Sequence, residues 1–123
     1  MADDAPEAFV AALLPTMFSR PMPRETVDAL RASRQVFHPR GFRAMARASA
    51  EDVRDVLPHV DVPTLLVCGE RDVRAPLTVA EALHAAISGS RLVVLADAGH
   101  LCNIEAPHEF NTAVRDFLHE SRG

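Results

Sequence analysis

The sequence predicts an α/β fold in which two parallel strands are joined by a crossover helix and preceded by a helical segment. Two short apolar runs, residues 64–68 and Arg91–Leu95, have the length and continuous apolar character of strands buried on both faces of a parallel sheet. An amphipathic helix lies between them and another follows the second run. From residue 49 the order is helix, strand, helix, strand, helix, which indicates a right-handed crossover between parallel strands.

Short helices separated by prolines are predicted for residues 6–49. Pro15 interrupts the first of three apolar stretches, Pro23 is placed to open the second helix at its first position, and that helix should end before Pro39. The residues at helical spacing are Phe9, Val10, Leu13 and Leu14, then Val27 and Leu30, and finally Phe42, Met45 and Ala46. Because none of these stretches has a strand partner, we expect a small, mostly helical layer.

Local capping signals predict where the remaining helices begin. Residues 49–60 should form a helix with Ser49 as its N-cap and a stop near Pro58. Thr78 and Glu81 have the spacing of a capping box at the start of the crossover helix.

The second half of the core is predicted in the same way. Gly89 is placed to end the crossover helix, residues 96–105 should form a loop, and Pro107 should open a terminal helix. The amphipathic stripe of that terminal helix consists of Phe110, Ala113, Val114, Phe117 and Leu118.

Length and composition are those of an ordinary globular domain, with 123 residues, 48% hydrophobic and 24% charged. We divide it into a helical cap-like segment, residues 1–50, and an α/β core portion, residues 51–123, within one domain overall. The formal net charge is −4 without a basic tract, so we expect no nucleic-acid or membrane partner. Two separate cysteines and an acidic N-terminus without a signal-peptide pattern favour a cytoplasmic protein.

Two residues with acid–base chemistry follow the two predicted strands. Asp72 comes after the first strand, and His100 follows the second, 28 positions later. Catalytic groups gather where the carboxyl ends of parallel strands meet. An aspartate there can hold an imidazole in one tautomer and stabilise the imidazolium. Taken singly, Asp72 could instead cap a turn before Pro76, and His100 could be a polar turn residue.

Two further acids lie near the same strand ends. Asp97 competes with Asp72 for His100, because it lies only three residues before the histidine. Glu70 is nearer the end of the first strand, and we expect it to be solvated.

Taken together, these features resemble the C-terminal end of an α/β-hydrolase-fold protein. The resemblance rests on VPTLLVCGERD, which ends at Asp72, on LVVLADAGH, which ends at His100, and on the E-x-P-x-x-F start of the last helix. Earlier segments, LLPTMFS and GFRAM, are most similar to the cap of 3-oxoadipate enol-lactonases and related esterases and haloperoxidases. The resemblance implies that Asp72 is the acid and His100 the base of a catalytic triad.

The Gly-x-Ser-x-Gly pattern that would supply the triad nucleophile does not occur in these 123 residues. The nearest serines, Ser88 and Ser90, flank a glycine where a helix leads into a strand, whereas the nucleophile turn joins a strand to a helix. Cys102 lies two residues beyond His100, but no glycine-rich oxyanion hole is evident beside it. We therefore interpret Cys102 as a small apolar filler and Cys68 as a core residue.

No metal or other cofactor is predicted. The five remaining histidines show no metal-ligand spacing, and those on charged helices, His84 and His108, should be exposed. Several apolar cap residues could line a substrate pocket or could simply be the buried side of short helices, and we favour the second interpretation. They are Leu13, Leu14, Met17, Phe18, Phe42 and Met45.

Three functional interpretations follow. The first is the C-terminal portion of a carboxylic ester or lactone hydrolase, enol-lactonase-like, with triad acid and base but no serine nucleophile, and therefore inactive alone. Its partner would be a small ester or lactone, once an N-terminal half completes the fold. The second is a non-catalytic interaction module that pairs or self-associates through the exposed edge of residues 64–68. The third, ranked last, is an autonomous enzyme with an unusual nucleophile.

Overall fold

The computed structural model describes residues 5–35 and 38–122; the acidic N-terminal residues 1–4 lie outside the described part. A 3-10 helix, Arg54–His59, precedes the first strand. The elements in chain order are α1 (Ala5–Met17), α2 (Arg24–Gln35), α3 (Pro39–Ser49), β1 (Leu65–Gly69), α4 (Leu77–Ala86), β2 (Arg91–Leu95), α5 (Cys102–Glu105) and α6 (Pro107–Glu120).

The sheet consists of two parallel strands, which confirms the predicted α/β fold class. Leu65 of β1 lies opposite Arg91 of β2, and the pairing continues residue by residue to Gly69 and Leu95. α4 connects the strands, and both α4 and α6 pack on them. The core cluster consists of Leu95, Ala98 and Cys102, with Val67, Val93, Ala106 and Phe110 packed against it.

The prediction that both strands are buried on two faces is wrong. In β1 only Gly69 is fully buried, and in β2 Val94 is 40% exposed while Leu95 is buried. A parallel strand of this composition is normally covered on both faces. Within the described residues, however, each strand has a single neighbouring strand. The apolar side chains of the two strands are therefore less buried by the described residues than their sequence predicts.

The helix predicted for residues 49–60 is also wrong. Ser49 is the last residue of α3, and a 3-10 helix, Arg54–His59, follows with Val53 at its N-cap. Pro58 lies inside this short element, and its missing N–H favours a tight turn over a continuing α-helix. Asp52 accepts hydrogen bonds from the backbone and side chain of Arg54, so the local polar contacts also favour a turn.

The predicted capping box at Thr78 does not form. Pro76 is the N-cap of α4, no side chain caps the helix, and Thr78 already lies inside its first turn. The carbonyl of Pro76 accepts a hydrogen bond from the Val79 amide at 2.8 Å, which closes the first turn without a side chain. Gly89 has a φ of 72° in the turn after the helix, a conformation that favours glycine.

The N-terminal part forms three helices, as predicted. Two prolines do not lie at the helix positions that the sequence predicted. Pro15 lies within α1, and Pro23 precedes α2 and accepts hydrogen bonds from the Thr26 and Val27 amides. α1 packs against α2. The rings of Phe9 and Phe42 lie edge to face, with their centroids 5.3 Å apart. No helix in the described ranges has the length and apolar character that crossing a membrane requires.

Candidate active site

Asp72 and His100 are brought together at the carboxyl edge of the sheet. Asp72 Oδ2 lies 2.9 Å from His100 Nδ1 across the loops that follow β1 and β2. Parallel pairing of the two strands places both loops at one edge, so a contact between residues 28 positions apart follows from the topology. The predicted approach of the two side chains is therefore observed.

The Asp72 carboxylate is held from both sides. Its Oδ1 accepts hydrogen bonds from the backbone amides of Arg74, at 2.8 Å, and Ala75, at 3.0 Å, and its side chain is 6% exposed. Burial raises the pKa of Asp72, but the hydrogen bonds from Ala75, His100 and Arg74 outweigh it and leave the pKa below its ordinary value. Turn capping and contact with the imidazole are thus made by different oxygens of one carboxylate.

The orientation of His100 leaves its second ring nitrogen available. Because an ionised carboxylate only accepts, Nδ1 carries the proton that it donates to Asp72, and Nε2 of the neutral ring is a free base. Nε2 makes no hydrogen bond with the residues that the structure describes, and the side chain is 36% exposed. The imidazole can therefore take a proton from a group approaching the strand edge.

Close backbone packing positions the two loops. The Ala98 carbonyl accepts a hydrogen bond from the Arg71 amide at 2.8 Å. A Cβ at Gly69 would overlap the carbonyl oxygens of Ala98 and Gly99. Only glycine therefore fits at the end of β1, and this close approach sets the distance between Asp72 and the histidine loop.

The competing acid, Asp97, does not contact the histidine. Its carboxylate pairs with Arg71 at 2.6 Å, and its backbone has a φ of 56°. Glu70 is exposed, as predicted. It also links the two loops, because its Oε2 accepts a hydrogen bond from the Asp97 amide at 3.0 Å. Of the acids near the strand ends, Asp72 is the one that meets His100.

The two cysteines lie in environments that disfavour the thiolate. Cys102 is buried in the core cluster, and Cys68 is half-buried in β1. Burial raises the pKa of both thiols, whereas a reactive cysteine needs a lowered one. The environment thus favours the interpretation of both as packing residues.

Glu105 is a site residue that sequence reasoning missed. Its carboxylate accepts hydrogen bonds from the amides of Gly99, at 2.8 Å, and Ser19, at 2.9 Å, and the residue is 6% exposed. Burial raises the pKa of Glu105, but the hydrogen bonds from Ser19 and Gly99 outweigh it and lower the pKa overall. In the sequence, Glu105 is marked only as the glutamate of the E-x-P motif. That motif does not reveal a hydrogen-bond partner 86 positions away.

The cap residues divide between burial and exposure. Met17 is 5% exposed, whereas Met45 on α3 is 54% exposed. Leu14 and Phe18 line an open cleft of about 340 Å³ that lies between α1 and α2. Within the described ranges no three acids, histidines or cysteines are grouped closely enough to hold a metal ion.

Several known proteins similar to this chain are named as hydrolases. The family model described as TAP-like protein (Abhydrolase_4) matches residues 42–122. A relative from Cronobacter turicensis, named "Putative carbamate hydrolase RutD", is 32% identical over an alignment of 118 residues, which covers 91% of this chain and 44% of the relative.

Solved structures agree with this comparison. An enol-lactonase from Burkholderia xenovorans LB400 is 31% identical with a TM-score of 0.76, covering 95% of this chain and 46% of the lactonase. A thermophilic esterase from Thermogutta terrifontis is 27% identical with a TM-score of 0.87, covering 98% and 46%. The chain spans less than half the length of each relative. Since the family model matches well over half of these 123 residues, the chain belongs to the TAP-like protein family of the α/β-hydrolase superfamily.

Proposed function

We propose that this chain supplies the acid and base of a serine-type carboxylic ester or lactone hydrolase. The observation that carries the proposal is the 2.9 Å contact between Asp72 and His100 Nδ1, with Nε2 left free. The similarity to an enol-lactonase and an esterase supports the substrate class. In this proposal Asp72 is the triad acid and His100 the triad base.

The geometry supports a distinct part for each of the two residues in this proposal. His100 Nε2 takes the proton of a nucleophilic hydroxyl as that oxygen attacks the ester carbonyl, and then gives it to the departing alcohol oxygen. Asp72 holds the imidazole in the tautomer with Nδ1 protonated and stabilises the imidazolium. This leaves the acyl group bonded to the nucleophile oxygen. A water, deprotonated by the same nitrogen, then attacks the acyl carbonyl, the bond to the nucleophile oxygen breaks, and His100 returns the proton to that oxygen as the acid leaves.

The nucleophile and the oxyanion hole are proposed to come from residues outside these 123. None of the six serines lies in a Gly-x-Ser-x-Gly pattern. Ser19, the serine nearest the histidine loop in the hydrogen-bond network, is engaged with Glu105 and the Asp97 carbonyl. We therefore expect the isolated chain to show no turnover of short p-nitrophenyl esters or of an enol-lactone. Its hydrolysis rate should equal that of the His100→Ala variant.

A chimaera tests the positive half of the proposal. The N-terminal portion of the Burkholderia xenovorans enol-lactonase would be joined to this chain at the aligned position. Ester or lactone turnover is expected in the chimaera, and Asp72→Asn should lower kcat by roughly 10⁴-fold because the histidine would adopt the wrong tautomer. If a folded chimaera cleaves only a carbamate, the proposed substrate class of esters and lactones is wrong and carbamates take its place. Full activity in His100→Ala would refute the assignment of the base.

The strand edge supports a second candidate function, an interaction module. β1 pairs with β2 on one side only within the described residues, and the strand is only half-buried. Unpaired backbone groups at such an edge are a template for another strand. In this proposal a second copy of the chain pairs with β1. Light scattering should then show a dimer with slowed hydrogen exchange at the β1 amides that do not face β2. A monomer in which those amides exchange freely would exclude it.

A further inference from the structure

We propose that Glu105 is a positioning residue for His100, which fixes the backbone next to the histidine and binds that loop to the end of α1. The inference rests on the proposed role of His100 as the base. It concerns a side chain that lies away from the reacting nitrogen and acts through the loop.

Both oxygens of the Glu105 carboxylate are engaged. Oε1 accepts from the Gly99 amide at 2.8 Å and from the Ser19 amide at 2.9 Å, and Oε2 lies 2.6 Å from Ser19 Oγ. The side chain is fully buried, so water does not compete for these donors. One carboxylate thereby joins the residue that precedes His100 to a residue beyond the end of α1.

Two further contacts tighten the same junction. The Leu101 amide, on the other side of the histidine, donates to the carbonyl of Met17 at 3.0 Å. Ser19 Oγ also lies 2.5 Å from the carbonyl oxygen of Asp97. His100 therefore lies between two hydrogen bonds to the segment that ends α1, one made by the Leu101 amide and one by the Asp97 carbonyl.

The space around Gly99 shows how closely these parts fit. A Cβ at Gly99 would lie 2.7 Å from the Ser19 amide nitrogen and 2.8 Å from Glu105 Oε1. On its other side, the loop contacts Gly69 of β1. The loop is packed on both sides and has little room to move. Losing the hydrogen bonds to Glu105 would therefore displace the backbone next to His100.

The three donors that converge here explain why the residue is an ionised acid. Two amides and one hydroxyl point at the side chain, and a carboxylate has only acceptors to offer them. Arg20 adds a positive charge, donating to the Glu105 carbonyl at 2.9 Å. A glutamine could still accept from both amides through its carbonyl oxygen and donate to Ser19 Oγ, whose proton would go to the Asp97 carbonyl. Glu105→Leu removes every acceptor while keeping a side chain of similar size.

The test reads the histidine itself by nitrogen-15 NMR of the 123-residue chain. The Nδ1 proton of His100 is first assigned by its loss in Asp72→Asn. Glu105→Leu should broaden or shift that proton and speed hydrogen exchange at the Gly99 amide by about tenfold or more, as expected for losing a hydrogen bond to a charged group. Ser19→Ala should do the same to a smaller extent.

Two controls separate positioning from general loss of stability. Glu109→Gln removes an exposed carboxylate from the first turn of α6, and Ala113→Gly weakens the buried side of that helix. Neither should move the His100 signals while the protein is folded.

A folded Glu105→Leu with unchanged His100 signals would overturn the inference. If Glu105→Leu does not fold, unchanged signals in Ser19→Ala would overturn it, and changed signals would support it. An inactive wild-type chimaera would count against the hydrolase proposal alone, because the NMR comparison does not depend on turnover.

Discussion

The strand-end loops and the three N-terminal helices are held by different kinds of contact. In the loops, the carboxylates of Asp72 and Glu105 are buried and each accepts several hydrogen bonds. In α2 and α3, no residue whose burial the structure describes is fully buried. The loops therefore have little freedom, whereas α2 and α3 rest on partly exposed apolar contacts and α1 buries Val10 and Met17.

The two regions meet just after α1, and Arg74 of the loop after β1 also donates to Thr16 Oγ1 in the last turn of α1. The carbonyl of Met17 and the amide and hydroxyl of Ser19 contact the histidine loop and Glu105. Changes in α1 should therefore reach the site through these contacts.

A pair of glycine substitutions should show the largest contrast between the regions. Gly69→Ala places a methyl group on backbone carbonyls, so it should lower the free energy of unfolding by about 3 kcal/mol or more, or prevent folding. Gly41→Ala in α3 meets only His38 Cβ, at 4.0 Å, and should raise stability by roughly 0.5–1 kcal/mol through helix propensity. Urea unfolding measures both. Equal effects of the two substitutions would show that the loops are no more tightly packed than the helices.

Removing the Asp72 carboxylate should have the next largest effect, and it should depend on pH. At pH 7, Asp72→Asn should cost about 1–3 kcal/mol because charge-assisted hydrogen bonds are lost. The pKa of Asp72 is lowered from 3.8 in the folded chain, so its contribution is complete above pH 3.8 and lost as pH falls through the folded pKa.

The measurement is urea unfolding of wild type and Asp72→Asn at several pH values between 7 and 3. The difference in stability should shrink as the pH falls below the ordinary pKa of an aspartate, about 3.9. A difference that instead grows below about pH 4 would mean that the folded pKa is raised, contrary to the hydrogen bonds observed.

The smallest effect is expected at the ion pair on α2. Arg24 and Asp28 lie 3.5 Å apart one turn from each other, with 94% and 55% of their side chains exposed. Exposed pairs of this kind contribute little, so Asp28→Asn should change the free energy of unfolding by no more than about 0.5 kcal/mol. A loss above about 1 kcal/mol would mean that α2 is held more tightly than its exposure indicates.

Local sequence patterns predicted the elements well where packing agrees with them. The continuous apolar run Arg91–Leu95 is observed as β2 with the same bounds, and α6 begins at Pro107 as predicted. Patterns failed where two local signals competed. Thr78 had the spacing of a cap, but Pro76 already starts α4, because its fixed φ suits the residue before the first turn.

The contact between Asp72 and His100 was predictable, because parallel pairing brings the carboxyl ends of neighbouring strands to one edge whatever the side chains around them. The sequence by itself thus determined the fold class and the meeting of the acid with the base. Only the tertiary structure decided how far the strands are buried and that Glu105 is the buried acid of the histidine loop. Periodicity reports on neighbours within a few residues, whereas the donors to Glu105 include a residue 86 positions away, and burial depends on what packs against a strand.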